Sequence, residues 1–432
     1  VDGLQDGGTM SRLLEIFLRK RAVKAGGWHL NVVHTPAMRG VREGLGEDLV
    51  PVMGRLEQSN SSVLFGDRLM VKVFRRLEEG VNPDLDIGQY LAERGFEHTP
   101  AVVGSMELGR SAGGVAAAAL VSVYVPNARD AWEHALDALG RFLDRVMVLP
   151  ADRTLPELVK RGVVGVACRR VPEDIGGMLG TFLESARLLG DRTAALHEEL
   201  AMGEGVDFVP EPFTNHYVRG LYQSMRNLTS RTMALLRKRV KALPEDLRGE
   251  AEWVLSREQV ILERFRAICS GPLTGMRIRH HGDFHLGQVL YTGKDFLLVD
   301  FEGEPARSLG ERRLKRSPLR DVAGMLRSFS YAAHAAMFRR VDEGGLPTSQ
   351  VDRVSCWLAV WQQWIGAAYV RSYLERGRSA VFLPRTEEEL EMMLDVYLLE
   401  KAIYELDYEL NNRPLWLRIP LRGIRGLLGE GV

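Results

Sequence analysis

His281-Gly282-Asp283-Phe284-His285-Leu286-Gly287-Gln288, closed by Val299-Asp300-Phe301-Glu302, is the stretch on which the reading of this chain turns. Between the two strings lie short apolar runs at 288–291 and 296–301, separated by Gly293-Lys294. Runs of that length around a glycine turn read as a β-hairpin. The stretch is thus an acidic loop, then a hairpin that carries a second carboxylate rigidly at its end. Sequence on either side of it is mainly helical in pattern, so the hairpin is an island.

An acidic loop and a strand-borne carboxylate suit phosphoryl transfer. That chemistry needs a carboxylate at the attacking hydroxyl and oxygen ligands for a magnesium ion bridging two phosphates. In protein kinases the base Asp stands five residues before a metal-binding Asn, and a second metal-binding Asp follows in D-F-G. Here Asp283 stands five residues before Gln288, whose amide oxygen can take the place of that of Asn, and Asp300 opens D-F-E. Glu302, on the same strand face as Asp300, is a further metal ligand or ligand positioner. A hard cation with oxygen ligands fits the set. An HxD string alone is a common accident; the ordered base, amide and D-F-E are not.

Upstream, 62–65 and 68–74 read as strand and strand around Gly66-Asp67, and Lys72 lies in the Leu-Met-Val-Lys run of the second. A lysine on a buried strand is costly without an anionic partner, and phosphate is the expected one. Asn82-Pro83-Asp84 opens a helix over 85–94, from which Asp86 is expected to hold Lys72, with Glu93 as runner-up. Ser59, Asn60 and Ser61 stand where a phosphate-covering loop belongs, although small polar residues also make ordinary turns. Another strand is expected at 117–125. Beyond Pro126-Asn127 helices are expected at 131–147, 178–200, 218–243 and 250–269, and again from Leu319. Thr386 and Glu389 form a capping-box signature for the last long helix. The first fifty residues show one amphipathic helix, 11–23, and little else.

The expected fold class is α+β: a protein-kinase-like fold with a small β-rich N-lobe and a large, mainly helical C-lobe. Its expected parts are a remnant or atypical N-terminal cap region at 1–50, the β-rich lobe at 51–126 and the helical lobe at 127–432. Composition excludes rivals. Lysine plus arginine number 57 and aspartate plus glutamate 57, so no basic surplus points to nucleic acid. The three scattered cysteines form no metal spacing or disulfide framework and fit a reducing, cytoplasmic compartment. No apolar run reaches membrane-spanning length. A start at Val1 fits a piece of a longer polypeptide.

Four strings, at 57–91, 280–305, 317–336 and 400–424, resemble maltokinases, including the maltokinase units fused to trehalose synthase. The resemblance covers the chain from Pro51 onward. It implies a relative of aminoglycoside and choline kinases with ATP between the lobes, converting maltose to maltose 1-phosphate for α-glucan (glycogen) synthesis. By position it makes Asp283 the base, Gln288 and Asp300 the magnesium ligands and Lys72 the phosphate contact. It also places adenine at a hinge over 121–125, which includes Val123 and Val125. The resemblance sets maltose against the last helix, where Lys401, Tyr404, Glu405 and Tyr408 follow one stripe as sugar contacts. The plainer reading of that stripe is a Lys–Glu pair with half-buried tyrosines. The alternatives are another acceptor, such as glucosamine, or an inactive kinase-like binding module. Asp321 is expected as a helix cap that also braces the catalytic loop, Trp357, Trp361 and Trp364 as core, and His280 and His281 as loop braces.

Overall fold

A computed structural model describes residues 4, 6–45, 49–56, 60–110, 113–150, 152–159 and 161–429. The chain forms a mixed α/β fold of two compact units. One comprises Val1–Asp130, His281–Asp283 and Gln288–Leu314; the other comprises Ala131–His280, Phe284–Gly287 and Lys315–Val432.

The first unit is built on one antiparallel sheet. Its strands are β1 (Val23–Ala25), β2 (Trp28–His34), β3 (Pro51–Leu56), β4 (Asn60–Phe65), β5 (Leu69–Phe74), β6 (Val102–Arg110) and β7 (Val115–Val123), with helices α1 (Gly7–Leu18), α2 (Met38–Arg42) and α3 (Pro83–Glu93). Strand order across the sheet is β1-β2-β6-β7-β5-β4-β3. β4 and β5 lie where the apolar runs put them, joined by a turn in which Gly66 has φ 58°. The described residues of the first fifty prove to be structural. α1, beginning earlier than the 11–23 expected, inserts Met10, Leu14 and Phe17 into the sheet's core against Val63, Val71 and Val103. Each such side chain, fully buried, contributes about 1.5–3 kcal/mol. β2 then pairs with β6 through seven residue pairs, Trp28 opposite Arg110 to His34 opposite Gly104. Gly104 is forced by crowding, since a Cβ there would lie 2.2 Å from the Val33 carbonyl and 2.9 Å from Phe17.

α3 starts as its sequence dictates. The Asn82 side chain accepts from the N–H groups of Asp84 and Leu85, and Pro83 fills the first helical position, where its missing N–H costs nothing. The hairpin strands Val289–Tyr291 and Phe296–Leu298 pair with each other and with the short strand Arg129–Asp130. Leu298 is tied in twice, its N–H donating to the His98 carbonyl at 2.8 Å and its carbonyl accepting from Thr99 Oγ1 at 2.8 Å.

The second unit is helical. Ala131–Met147 matches its expected span, Phe182–Ala201 and Asn215–Arg239 lie within a few residues of theirs, and the expected 250–269 is broken at Arg257 into Glu245–Ser256 and Glu258–Arg266. Leu319–Asp342, Val351–Arg376 and Glu387–Asn412 are the long helices of its core. Trp357, Trp361 and Trp364 are 0%, 0% and 6% exposed, core residues as expected. Thr386 caps the last long helix through Glu389 N–H, but the Glu389 carboxylate goes to Thr274 rather than back to the cap. Among the described residues no helix is long and apolar enough to cross a membrane.

Candidate active site

The pleat of β5 sets Lys72 on the face opposite Leu69 and Val71, where it is buried all the same. Its ammonium sits among three carboxylates: Asp84 Oδ2 at 2.8 Å, Asp300 Oδ1 at 2.6 Å and Glu302 Oε1 at 2.6 Å. The Lys72 side chain is 10% exposed. Burial works against its charge, but the carboxylates outweigh that and hold its pKa well above the ordinary lysine value.

The partner from α3 is Asp84, not the Asp86 that the sequence suggested. The buried stripe of α3 is Asp84, Ile87, Gly88 and Leu91, and Asp86 falls outside it. Asp86 pairs instead with Arg313 at 3.4 Å. Glu93, the runner-up, ends the helix and is exposed. The spacing of three and four from Asp84 to the apolar residues was the signal that would have found it. Asp84 does more than hold Lys72. Its other oxygen accepts from the Phe301 N–H at 2.8 Å, so one carboxylate joins β5, α3 and the D-F-E segment.

That segment has an unusual backbone. Asp300 has φ 66° and Gly303 φ 72°. For a non-glycine residue the left-handed conformation costs roughly 1–2 kcal/mol, least for Asp and Asn. Around it, Val299 N–H donates to the Gln288 carbonyl at 3.0 Å, His281 Nε2 lies 2.9 Å from the Val299 carbonyl, and the His281 ring packs on Phe301 with centroids 5.1 Å apart. His281 is thus the loop brace expected of it. Burial raises the Asp300 pKa, but Lys72, His281 and a hydrogen bond from Gln288 prevail and hold it below the usual carboxylate range. Glu302 goes the other way: burial and the charges of Asp300 and Asp84 outweigh Lys72 and lift it. The niche therefore carries surplus negative charge, three carboxylates against one ammonium.

Asp84, Asp300 and Glu302 offer oxygens that all lie within 4.8 Å of one another. With the Gln288 amide on Asp300, this all-oxygen, over-negative set fits a small divalent cation. Asp283 follows Gly282, whose φ is 88°, and is half-buried. The loop beyond it, Phe284–Gly287, belongs to the helical unit and rests on Leu319–Asp342. A Cβ at Gly324 would lie 2.6 Å from the Phe284 carbonyl, and Leu286 N–H donates to Ser328 Oγ at 3.0 Å.

Of the expected phosphate loop, Glu57, Gln58 and Ser59 lie outside the described residues. Asn60 donates to Glu302 Oε1 at 2.6 Å, and the buried Ser61 hydroxyl accepts from Arg75 Nε at 2.7 Å. The Ser61 side chain is therefore committed inside the sheet. At the expected hinge, Val123 N–H donates to Ala101 and Tyr124 N–H to Arg68, and Val125 follows just past the end of β7.

The four expected sugar contacts lie on Glu387–Asn412 in the helical unit and part company. Glu405 is buried, its carboxylate bound to Arg327 Nε and Nη2 at 2.9 and 2.6 Å, because the facing helix presents a guanidinium there. Lys401 lies over the Tyr404 ring, 4.9 Å from its centroid. Tyr408 is 45% exposed beneath Arg413. Asp321, expected as a cap, instead pairs in the interior with His197 Nε2 at 3.0 Å.

By architecture the chain is kinase-like: an antiparallel sheet carrying a lysine held by a helix carboxylate, followed by a mainly helical unit. No protein-family model matches it. It is 25% identical over 388 residues to a glucosamine kinase of Streptacidiphilus jiangxiensis, spanning 88% of this chain and 75% of that protein. It is likewise 25% identical over 382 residues to a glucosamine kinase of Mycolicibacterium smegmatis, spanning 87% of this chain and 79% of that one. Among solved structures, a glucosamine kinase in complex with glucosamine, ADP and inorganic phosphate superposes with a TM-score of 0.65 at 22% identity, covering 98% of this chain and 83% of that one. The fold is therefore shared with glucosamine kinases.

Proposed function

We propose that this chain is an ATP-dependent sugar kinase with an amino sugar, glucosamine, as acceptor. The observation that carries the reading is the Lys72–Asp84–Asp300–Glu302 cluster, whose D-F-E segment is tied through His281 to the loop that includes Asp283. Lys72 fixes the phosphates of ATP. Asp300, Gln288 and Glu302 would hold magnesium, which when bound neutralises charge on the β- and γ-phosphates. Asp283 orients the sugar hydroxyl and takes its proton as the oxygen attacks the γ-phosphorus and the bond to ADP breaks. Val123 and Val125 offer backbone groups to the adenine. Lys401, Tyr404 and Tyr408 are the residues of the last long helix that face the acceptor, while Glu405 positions that helix through Arg327.

The glucosamine assignment is supported by two relatives that match over 87–88% of this chain. Maltose, and with it a link to trehalose synthase and glycogen, rests on sequence resemblance alone; the comparisons favour the amino sugar. Phosphorus NMR of products from MgATP with glucosamine, maltose and glucose offered separately decides between them. We expect a phosphomonoester of glucosamine, and phosphate on maltose alone would reverse the assignment. Asp283→Asn should lower turnover by about 10³-fold with nucleotide affinity retained. Near-normal turnover in that variant would remove Asp283 from its role.

A further inference from the structure

A cavity is lined in part by Asn60 and Glu302 and not by Lys72. It measures about 350 Å³ and lies wholly within the sheet-bearing unit. That is at the small end of the ~300–1,000 Å³ typical of small-molecule sites. Its floor is apolar, formed by Phe74, Pro305 and Leu309, and three arginines stand around it: Arg75, Arg76 and Arg312.

Arg312 is the informative one. Its side chain is only 8% exposed. Nη2 is bonded to Glu78 and Nη1 reaches the Glu302 carbonyl at 3.5 Å, yet buried Nε has no acceptor among the described residues. A buried guanidinium donor left without a protein partner costs free energy, and such groups in native structures call for a water, an ion or a ligand. Arg76 shares Glu78 with Arg312, at 3.1 Å, and is otherwise 81% exposed. Three guanidinium groups thus face two carboxylates, Glu78 and Glu302. The balance is the reverse of that in the Lys72 niche.

We infer that this cavity is an anion site for a phosphate dianion, free or as the head of a small phosphomonoester, distinct from the nucleotide niche. Planar guanidinium groups match phosphate oxygens in pairs, and the apolar floor suits the carbon skeleton of a sugar phosphate. Asn60 and Glu302 are the shared wall, and Asn60 donates to the carboxylate that also holds Lys72. Occupancy of the cavity is therefore felt in the niche.

The test is calorimetric titration of the full chain with inorganic phosphate, then with glucose 6-phosphate, each with and without a saturating non-hydrolysable ATP analogue. Phosphate is expected to bind with the analogue in place. Arg312→Gln should weaken that binding at least tenfold and Arg76→Gln at least threefold, with analogue affinity changed less than twofold. Arg76 is exposed enough that its variant folds whatever Arg312→Gln does. Tighter binding of glucose 6-phosphate than of phosphate identifies a phosphomonoester; the reverse identifies free phosphate. Phosphate binding that vanishes when the analogue saturates, that survives both substitutions, or that is absent altogether overturns the inference. An analogue that fails to bind counts against the kinase reading alone, and the two variants still decide the cavity.

Discussion

Two sets of buried charges, one in each unit, have opposite arithmetic. In the helical unit Arg320 meets Glu400 at 2.5 Å, Arg327 meets Glu405 at 2.6 Å, and Glu409 accepts from Tyr331 at 3.1 Å and pairs with Arg413 at 2.8 Å. In these rungs each guanidinium has a carboxylate, and the rungs join Leu319–Asp342 to Glu387–Asn412. In the sheet-bearing unit one ammonium serves three carboxylates. Balanced pairs are what a fold needs to bury charge. A surplus that folding leaves uncompensated is what a site holds ready for a ligand. The lesson is that the count of charges, more than their burial, separates scaffold from site.

The sharpest way to break the contrast is to neutralise matching members. Lys72→Met should lower kcat/KM for ATP about 10³-fold, about 4 kcal/mol in transition-state terms; a tenfold loss or less would deny it the phosphate role. Glu405→Gln leaves Arg327 buried without a counter-charge and should cost about 3–5 kcal/mol in denaturant unfolding. Glu302→Gln removes surplus charge and should leave stability unchanged or raised while turnover falls. A Glu302→Gln protein as destabilised as Glu405→Gln would erase the distinction.

A pH series sharpens it further. Burial lowers the His280 pKa to about 3, and burial likewise lowers that of His334 to about 4. Both stay neutral when folded, whereas the unfolded chain takes up their protons near pH 6.5. The stability they represent is complete above that pH and is lost as pH falls toward 3–4. Each should cost about 2 kcal/mol between pH 7 and pH 5, and His334→Gln should halve the combined slope measured by urea unfolding. The smallest effect expected separates two neighbours on α3. Asp84→Asn should lower kcat/KM about tenfold, about 1.4 kcal/mol, and Asp86→Asn less than twofold.

Much of this was legible in the sequence where chemistry imposes spacing. Lys72, Gln288 and Asp300, singled out by motif spacing, do meet: Lys72 Nζ lies 2.6 Å from Asp300 Oδ1, and the Gln288 side chain hydrogen-bonds Asp300. The hairpin was legible through its glycine turn. Asp84 was missed because the choice between Asp84 and Asp86 depends on which face of α3 meets the sheet, a tertiary fact. The ion pair of Glu405 was not foreseen for the same reason, its partner Arg327 lying 78 residues away. β2 and β6 escaped because neither alternates cleanly. Gly104 and Gly109 interrupt β6, and the need for them is visible only once β2 lies alongside.

The seating of α1 and β2 has a practical side. A chain begun at Pro51, where the recognisable motifs start, would lack the helix that fills the sheet's core and the strand that occupies one flank of β6. It would leave the β2-facing edge of β6, the seven residues Gly104–Arg110, without its partner strand, and open strand edges of that kind invite aggregation. Anyone wishing to express the chain from Pro51 alone should expect it in the pellet unless residues 7–50 travel with it.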